Sequence, residues 1–200
     1  MPPPRGQHFV SAPVFGRPDA AAARKLFIVA AGAPEVIATL QPVFDMLGQR
    51  TFNVSDHAPN ANLVKLSGNF LIMSVIEALG EAFALIDKAG IDKEQYLDLL
   101  VSTLFGAPVY KTYGGLIAGE RYDPPGFKAA LGYKDVGLAL EAAQTLEVNM
   151  PLANLIAGRF LTLIEAGGAD LDWSAIALLA KRKSGAPTVL DPEQHPEQRD

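Results

Sequence analysis

The sequence predicts a mostly α-helical protein that opens on a short α/β segment. Three observations predict it. The run Lys25-Leu26-Phe27-Ile28-Val29-Ala30-Ala31 is continuous and apolar, with two β-branched residues, as a strand covered on both faces requires. From Asn60 onward, apolar residues instead recur at helical spacing between Gly and Pro breaks. The chain has 200 residues, 49% hydrophobic and 20% charged, which fits one domain or one domain plus part of another and excludes wholesale disorder.

The first segment reads as strand, strand, helix, strand. Phe9 to Phe15 forms a short strand running into a turn at Gly16-Arg17-Pro18. Lys25 to Ala31 is the second strand, closed by Gly32-Ala33-Pro34. Glu35 to Leu47 has helical spacing at Val36, Ile37, Leu40, Val43, Phe44 and Leu47, with Gly48 as the stop. Thr51 to Val54 is a last short strand. Three strands and one helix cannot cover both faces of a sheet, so this segment is expected to be the closing edge of a larger α/β unit.

Helices follow over Asn60 to Ala89, Asp92 to Leu104, Pro108 to Ala118, Phe127 to Leu146 and Pro151 to Ala166. Gly68 and Gly80 weaken the first of these, and Asp92 is an N-cap for the second. Asp172-Trp173-Ser174 opens a last helix ending at Lys181-Arg182-Lys183, a basic run suited to a helix C-terminus. The stretch Asn69 to Ile86 is apolar but broken by Glu77 and Glu81, so it reads as a core helix and no membrane partner is expected. Expected units are residues 1–59, 60–183 and a flexible tail, 184–200.

Charge and composition narrow the function classes. A net charge of −5 argues against a nucleic-acid partner. The sequence has no cysteine, which removes disulfides, thiolate metal sites and cysteine nucleophiles, and is compatible with a reducing compartment. His8, His57 and His195 are widely separated, so no metal site is expected. Glu77 and Glu81 share a helix face and read as an exposed or interhelix stripe. No serine lies in a G-x-S-x-G context, and no G-x-G-x-x-G occurs.

Three constellations can carry chemistry. Lys65 and Asn69 stand four apart near the start of a long helix, so both project from one face. An ammonium near the positive end of a helix gives up its proton more readily, as a general acid/base needs, and the asparagine can orient a substrate oxygen. The same spacing also fits a solvated lysine. Lys134-Asp135 lies about two helical turns beyond Phe127 and fits either a ligand-facing lysine with an anchoring aspartate or an exposed charged pair. The turn Phe15-Gly16-Arg17 can offer backbone N–H groups and a guanidinium fork to a carboxylate, or be a plain surface turn.

In order along the chain, these segments resemble the β-hydroxyacid dehydrogenase family, whose best-known class is 3-hydroxyisobutyrate dehydrogenase. A family strand-turn of the type Asp-Ala-Pro-Val-Ser-Gly-Gly is similar to Ser11-Ala12-Pro13-Val14-Phe15-Gly16-Arg17 here. A Gly-x-Gly-x-x-x-Lys-x-x-Asn-Asn segment is similar to Pro59-Asn60-Ala61-Asn62-Leu63-Val64-Lys65-Leu66-Ser67-Gly68-Asn69. A Lys-Asp-Leu-Gly-x-Ala helix is similar to Lys134-Asp135-Val136-Gly137-Leu138-Ala139. The resemblance spans roughly His8 to Arg182, and Lys65 argues against the related imine reductases.

The resemblance implies the end of a Rossmann-like sheet followed by an all-helical domain like the C-terminal part of 6-phosphogluconate dehydrogenase, with most of the nucleotide domain lying outside this chain. It implies an oxidoreductase that uses NAD or NADP and a small hydroxy acid or carbonyl substrate. Lys65 would be the catalytic group, with Phe15, Gly16, Arg17 and Asn69 at the substrate and Phe127 and Lys134 at the cofactor. A homodimer in the cytoplasm is expected. Without a glycine-rich phosphate turn, the chain alone is expected to be a poor catalyst with weak or no dinucleotide affinity. The alternative is a non-catalytic helical dimerisation module derived from the same family. Phe15 in place of a hydroxyl residue, Arg17, Pro59 and Ala61 in place of glycines, and Gly68 in place of an asparagine bear on substrate identity. The acid accepted is therefore not expected to be a close mimic of 3-hydroxyisobutyrate.

Overall fold

The computed structural model describes residues 7–181. Its contacts divide the chain into two units, Met1–Asn69 and Phe70–Asp200. The expected division before Asn60 falls at the start of a long helix, whereas the contacts place it after Asn69, inside that helix. The expected tail over 184–200 lies outside the described residues, as do Arg182 and Lys183.

The first unit is built on a three-stranded sheet of order β1-β2-β3. Strand β1 (Val14–Phe15) runs antiparallel to β2 (Leu26–Ala31), which runs parallel to β3 (Gly48–Ser55). The side chains of β2 alternate. Ile28 and Ala30 pack with Ile37 and Phe44 of helix α2 (Pro34–Leu47), while Val29 and Ala31 pack with Phe15 and Ala61. This two-sided burial is what the continuous apolar run foretold.

The expected strand Phe9 to Phe15 is shorter in the structure. Ser11 and Ala31 exchange both backbone bonds, at 3.0 and 2.9 Å, but the ladder breaks at Pro13, which has no N–H. Its carbonyl still accepts from Val29 N at 2.9 Å. Helix α1 (Pro18–Ala22) occupies what was read as the end of a turn. Proline at its first position and three alanines suit a helix, but five residues are too short to show a period. Gly48 joins α2 directly to β3 without a loop. A Cβ there would stand 2.4 Å from the Leu26 carbonyl oxygen, so only glycine permits that approach.

Helix α3 (Pro59–Lys88) leaves the first unit and enters the second. By length and composition it could cross a membrane. In the second unit it does the work of a core helix, burying Met73, Ile76, Leu79 and Phe83. Around it stand α4 (Lys93–Ser102), α5 (Pro108–Ala118), α6 (Ala129–Thr145) and α7 (Pro151–Glu165). Asp92 caps α4 as expected, accepting from Gln95 N at 2.8 Å. Gly80 weakens α3 locally but lets it meet backbone: a Cβ there would lie 2.8 Å from Ala177 Cα.

The last expected helix is present, in the tighter form: Trp173–Lys181 is a 3-10 helix. Trp173, Ser174, Ala175, Ile176, Ala177 and Leu179 are all buried, so the segment has no polar face to turn outward. The tighter 3-10 winding gives a thinner rod for this crowded interior, and Ala175 N closes its first turn onto the Asp172 carbonyl at 2.8 Å. Lys181 at its end bonds Glu120, which also accepts from Lys93 at 2.7 Å.

Candidate active site

In the first unit, β1 and the opening turns of α3 bring together residues far apart in sequence. Lys65 is partly buried, and its Nζ lies 4.2 Å from the centroid of the Phe15 ring. A cation above an aromatic face is attracted by the ring quadrupole, by about 0.5–1 kcal/mol at exposed sites. The same ring lies against Gly68, where a Cβ would stand 2.3 Å from Phe15 Cζ. Asn69, one helical turn beyond Lys65 on the same face, is 2% exposed.

The turn after Phe15 is held by Gly16. Its φ of +151° is one that side chains with a Cβ rarely adopt, and a Cβ there would fall 2.6 Å from Leu26 Cδ2. Arg17 follows in extended conformation as the N-cap residue of α1 and is partly buried. Pro59 and Ala61, the two departures at glycine positions, also find a structural reason. Pro59 is the first residue of α3, where its missing N–H costs nothing, and Ala61 is fully buried against Val29 and Ala31. Ser55 Oγ accepts from His57 N at 3.0 Å and Asn60 Nδ2 at 2.9 Å, tying the end of β3 to the start of α3.

The second unit holds Phe127 and Lys134. The Phe127 ring meets Trp173 edge-on, with centroids 4.7 Å apart, and its backbone N donates to Asp172 Oδ2 at 3.2 Å. Lys134 lies on α6 with 62% of its side chain exposed, 3.5 Å from Asp135, whose own side chain is 13% exposed. Adjacent helical residues do not normally meet; here the lysine reaches back while the aspartate stays half-buried.

Sequence reasoning missed Asp172 as more than a helix start. It is 1% exposed, and its carboxylate also accepts from Gly126 N at 2.9 Å, Ser174 N at 3.1 Å and Ser174 Oγ at 2.7 Å. One carboxylate thus fixes both the Phe127 loop and the first turn of the 3-10 helix. The Asp-Trp-Ser order revealed the local cap but not the distant loop. Asp172→Asn, which keeps the shape and loses the charge, should lower unfolding free energy by about 1–3 kcal/mol. Denaturant titration checks this, and an unchanged midpoint would contradict it. Also missed was Arg159, whose Nε donates to Glu77 Oε1 at 2.5 Å and whose Nη2 is 3.6 Å from Glu81. Glu77 is buried at this interhelix contact, while Glu81 is exposed. Burial pushes the Glu77 carboxyl above its ordinary range, against the lowering effect of Arg159. Among the described residues no cluster of His, Asp or Glu could hold a metal ion.

A family model described as the NAD-binding part of NADP-dependent 3-hydroxyisobutyrate dehydrogenase matches residues 60–180. The chain belongs to this family. It is 45% identical over 172 residues to the uncharacterized oxidoreductase YfjR of Bacillus subtilis, covering 86% of this chain and 60% of the relative. It is 33% identical to glyoxylate/succinic semialdehyde reductase 1 of Arabidopsis thaliana, covering 86% of this chain and 59% of that protein. The crystal structure of 3-hydroxyisobutyrate dehydrogenase from Salmonella typhimurium superposes with a TM-score of 0.79 at 26% identity, over 86% of this chain and 60% of that one. The mostly α fold with a partial α/β segment is therefore that of the family, as the motif order implied. The chain spans about 60% of the length of these relatives.

Proposed function

We propose that this chain supplies the hydroxy-acid side of an NAD(P)-dependent oxidoreductase, with Lys65 as its general acid/base. The observation that supports the reading is Lys65 Nζ, 4.2 Å over the Phe15 ring, in a chain of this family. In the reducing direction the Lys65 ammonium gives a proton to the substrate carbonyl oxygen; in the oxidising direction the neutral amine takes it from the hydroxyl. A nicotinamide cofactor, when bound, would supply or accept the hydride, with Phe127 and Lys134 as the residues of this chain that would meet it. Asn69 and Arg17 orient the substrate from either side of the lysine in sequence, and Gly16 offers backbone at the turn.

The residues present fit such a cofactor in part. Phe127 sits on a loop pinned by a buried carboxylate, and Lys134 offers an exposed ammonium to an anionic group. No G-x-G-x-x-G turn occurs in the sequence, so a pyrophosphate cradle of that kind is not among this chain's residues. The substrate is read as a small hydroxy acid or the matching carbonyl compound, as in the reductase of Arabidopsis thaliana. Exposed Leu71 and Leu85 on α3 support a homodimer, and the acidic, cysteine-free composition supports a cytoplasmic location.

The test joins this chain to the part of the Bacillus subtilis relative outside the match and follows nicotinamide absorbance with short hydroxy acids. Turnover with NAD or NADP is the expected result. No turnover with either cofactor on any of the acids would contradict the reading.

A further inference from the structure

The geometry points to Asp172 as a positioning residue: through one carboxylate oxygen it sets the direction in which the Phe127 ring is offered to a nicotinamide. It rests on the reading of Phe127 and Lys134 as the residues that meet the cofactor. Backbone bonds already tie the loop before α6 to the segment before the 3-10 helix. Asp172 N donates to the Tyr122 carbonyl, Trp173 N to the Phe127 carbonyl and Ala129 N to the Leu171 carbonyl, each at 2.8 Å. These bonds hold both ends of the loop but leave the N–H groups of Gly126 and Phe127, and Pro124 and Pro125 before them have no N–H to give. The Asp172 carboxylate closes that gap. Its Oδ2 accepts from Gly126 N at 2.9 Å and Phe127 N at 3.2 Å, while Oδ1 accepts from Ser174 N at 3.1 Å and Ser174 Oγ at 2.7 Å.

The two oxygens therefore have separate tasks. Oδ1 serves the first turn of the 3-10 helix, and Oδ2 orients the two peptide units that flank Gly126. Glycine has the widest choice of backbone directions, so Gly126 is where the loop would otherwise give. The Phe127 ring that follows is half-buried, with its edge-on contact to Trp173 on one side and part of its surface open to solvent. A ring that must be ordered when a ligand arrives costs that ligand part of its affinity, and an aromatic contact depends on offset and tilt. Asp172 is 1% exposed, too deep to meet a ligand itself, so it acts through Phe127. Asparagine at this position can keep its amide oxygen on Gly126 and Phe127 and turn its NH₂ to Ser174 Oγ, a hydroxyl that accepts as well as donates. Alanine can do neither.

The experiment uses the full chain and reduced nicotinamide mononucleotide, whose absorption overlaps the emission of Trp173, the one tryptophan in the sequence. Saturable loss of Trp173 fluorescence reads binding. Asp172→Ala should raise the half-saturating concentration by about tenfold or more, the value of a lost hydrogen bond to a charged group. Asp172→Asn should stay within about threefold of the parent. Ser174→Ala, which strips only Oδ1, should also stay within about threefold, even where its urea midpoint falls as far as that of Asp172→Asn. An Asp172→Ala affinity equal to the parent's, or affinities that follow the urea midpoints across all three variants, would overturn the positioning role and leave a structural carboxylate. If Asp172→Ala does not fold, amide exchange in the parent decides. Exchange at Gly126 and Phe127 should slow when the mononucleotide is added, because a ligand that binds only the set loop lowers its opening by mass action; unchanged exchange would overturn the positioning role. No fluorescence loss in the parent, or the same half-saturation in Phe127→Leu, would overturn the assignment of Phe127 to the cofactor together with the role of Asp172. The two failures are thus told apart.

Discussion

Lys65→Met should lower kcat/KM for hydroxy-acid oxidation by roughly 10²- to 10⁴-fold, the range over which a positioned acid or base contributes. The substitution is chosen because methionine keeps an apolar stem over the Phe15 ring, whereas alanine would also strip that contact. The loss should lie mainly in kcat, since a proton is moved in the transition state rather than in the bound ground state. Thermal unfolding of the variant should stay close to that of the parent, because the cation–π contact contributes only about 0.5–1 kcal/mol. The measurement is steady-state turnover by the chain joined to the rest of its Bacillus subtilis relative. A variant within about threefold of the parent would remove Lys65 from the chemistry.

Arg159→Ala should destabilise the second unit by up to about 3 kcal/mol, as expected when a buried carboxylate loses its half-buried partner. Glu77 is 4% exposed, and its Oε2 has no hydrogen-bond partner among the described residues, so its charge depends on Arg159 at Oε1. The contact to exposed Glu81 adds little. The pH dependence has a definite sign. Burial raises the folded-state pKa of Glu77 above its unfolded value, so its contribution to stability is fully present below the unfolded pKa and is lost as pH rises through the folded one. Without Arg159 the folded pKa rises further and the loss deepens towards neutrality. Glu77→Gln should remove that slope, and the double variant should recover much of what Arg159→Ala costs. Urea unfolding between about pH 4 and pH 8 reads all three. A loss near zero for Arg159→Ala, with no pH slope, would contradict the argument.

The parts of this molecule that repeat along the chain were legible in its sequence. Helix α2 announces itself through Val36, Ile37, Leu40, Phe44 and Leu47, and strand β2 through its unbroken apolar run. Pro108–Ala118 was read with its bounds as they stand. What escaped was short or tertiary. Helix α1 has no period, and the 3-10 helix follows from burial on all sides, which spacing does not encode.

The candidate site shows the same division. Lys65 and Asn69 could be placed on one helix face from spacing, and the motif order singled them out. Phe15 and Gly68 were visible only as two separate departures from the family pattern. That the Phe15 ring lies where a side chain at position 68 would stand is a contact between β1 and α3, not a feature of either segment. Asp172 holds Gly126 and Phe127 across a long stretch of chain, and Arg159 meets Glu77 from another helix. Such pairings are set by packing, where a single sequence gives no period to read.

Isotope transfer decides whether hydride leaves the carbinol carbon for the nicotinamide. A short hydroxy acid carrying deuterium on its carbinol carbon is turned over by the chain joined to the remainder of its Bacillus subtilis relative, with NAD or NADP present. The deuterium is expected on the reduced nicotinamide, moved with its electron pair, while the hydroxyl proton is lost to water through Lys65. Deuterium released into solvent, or kept on the acid while the nicotinamide stays oxidised, would contradict it.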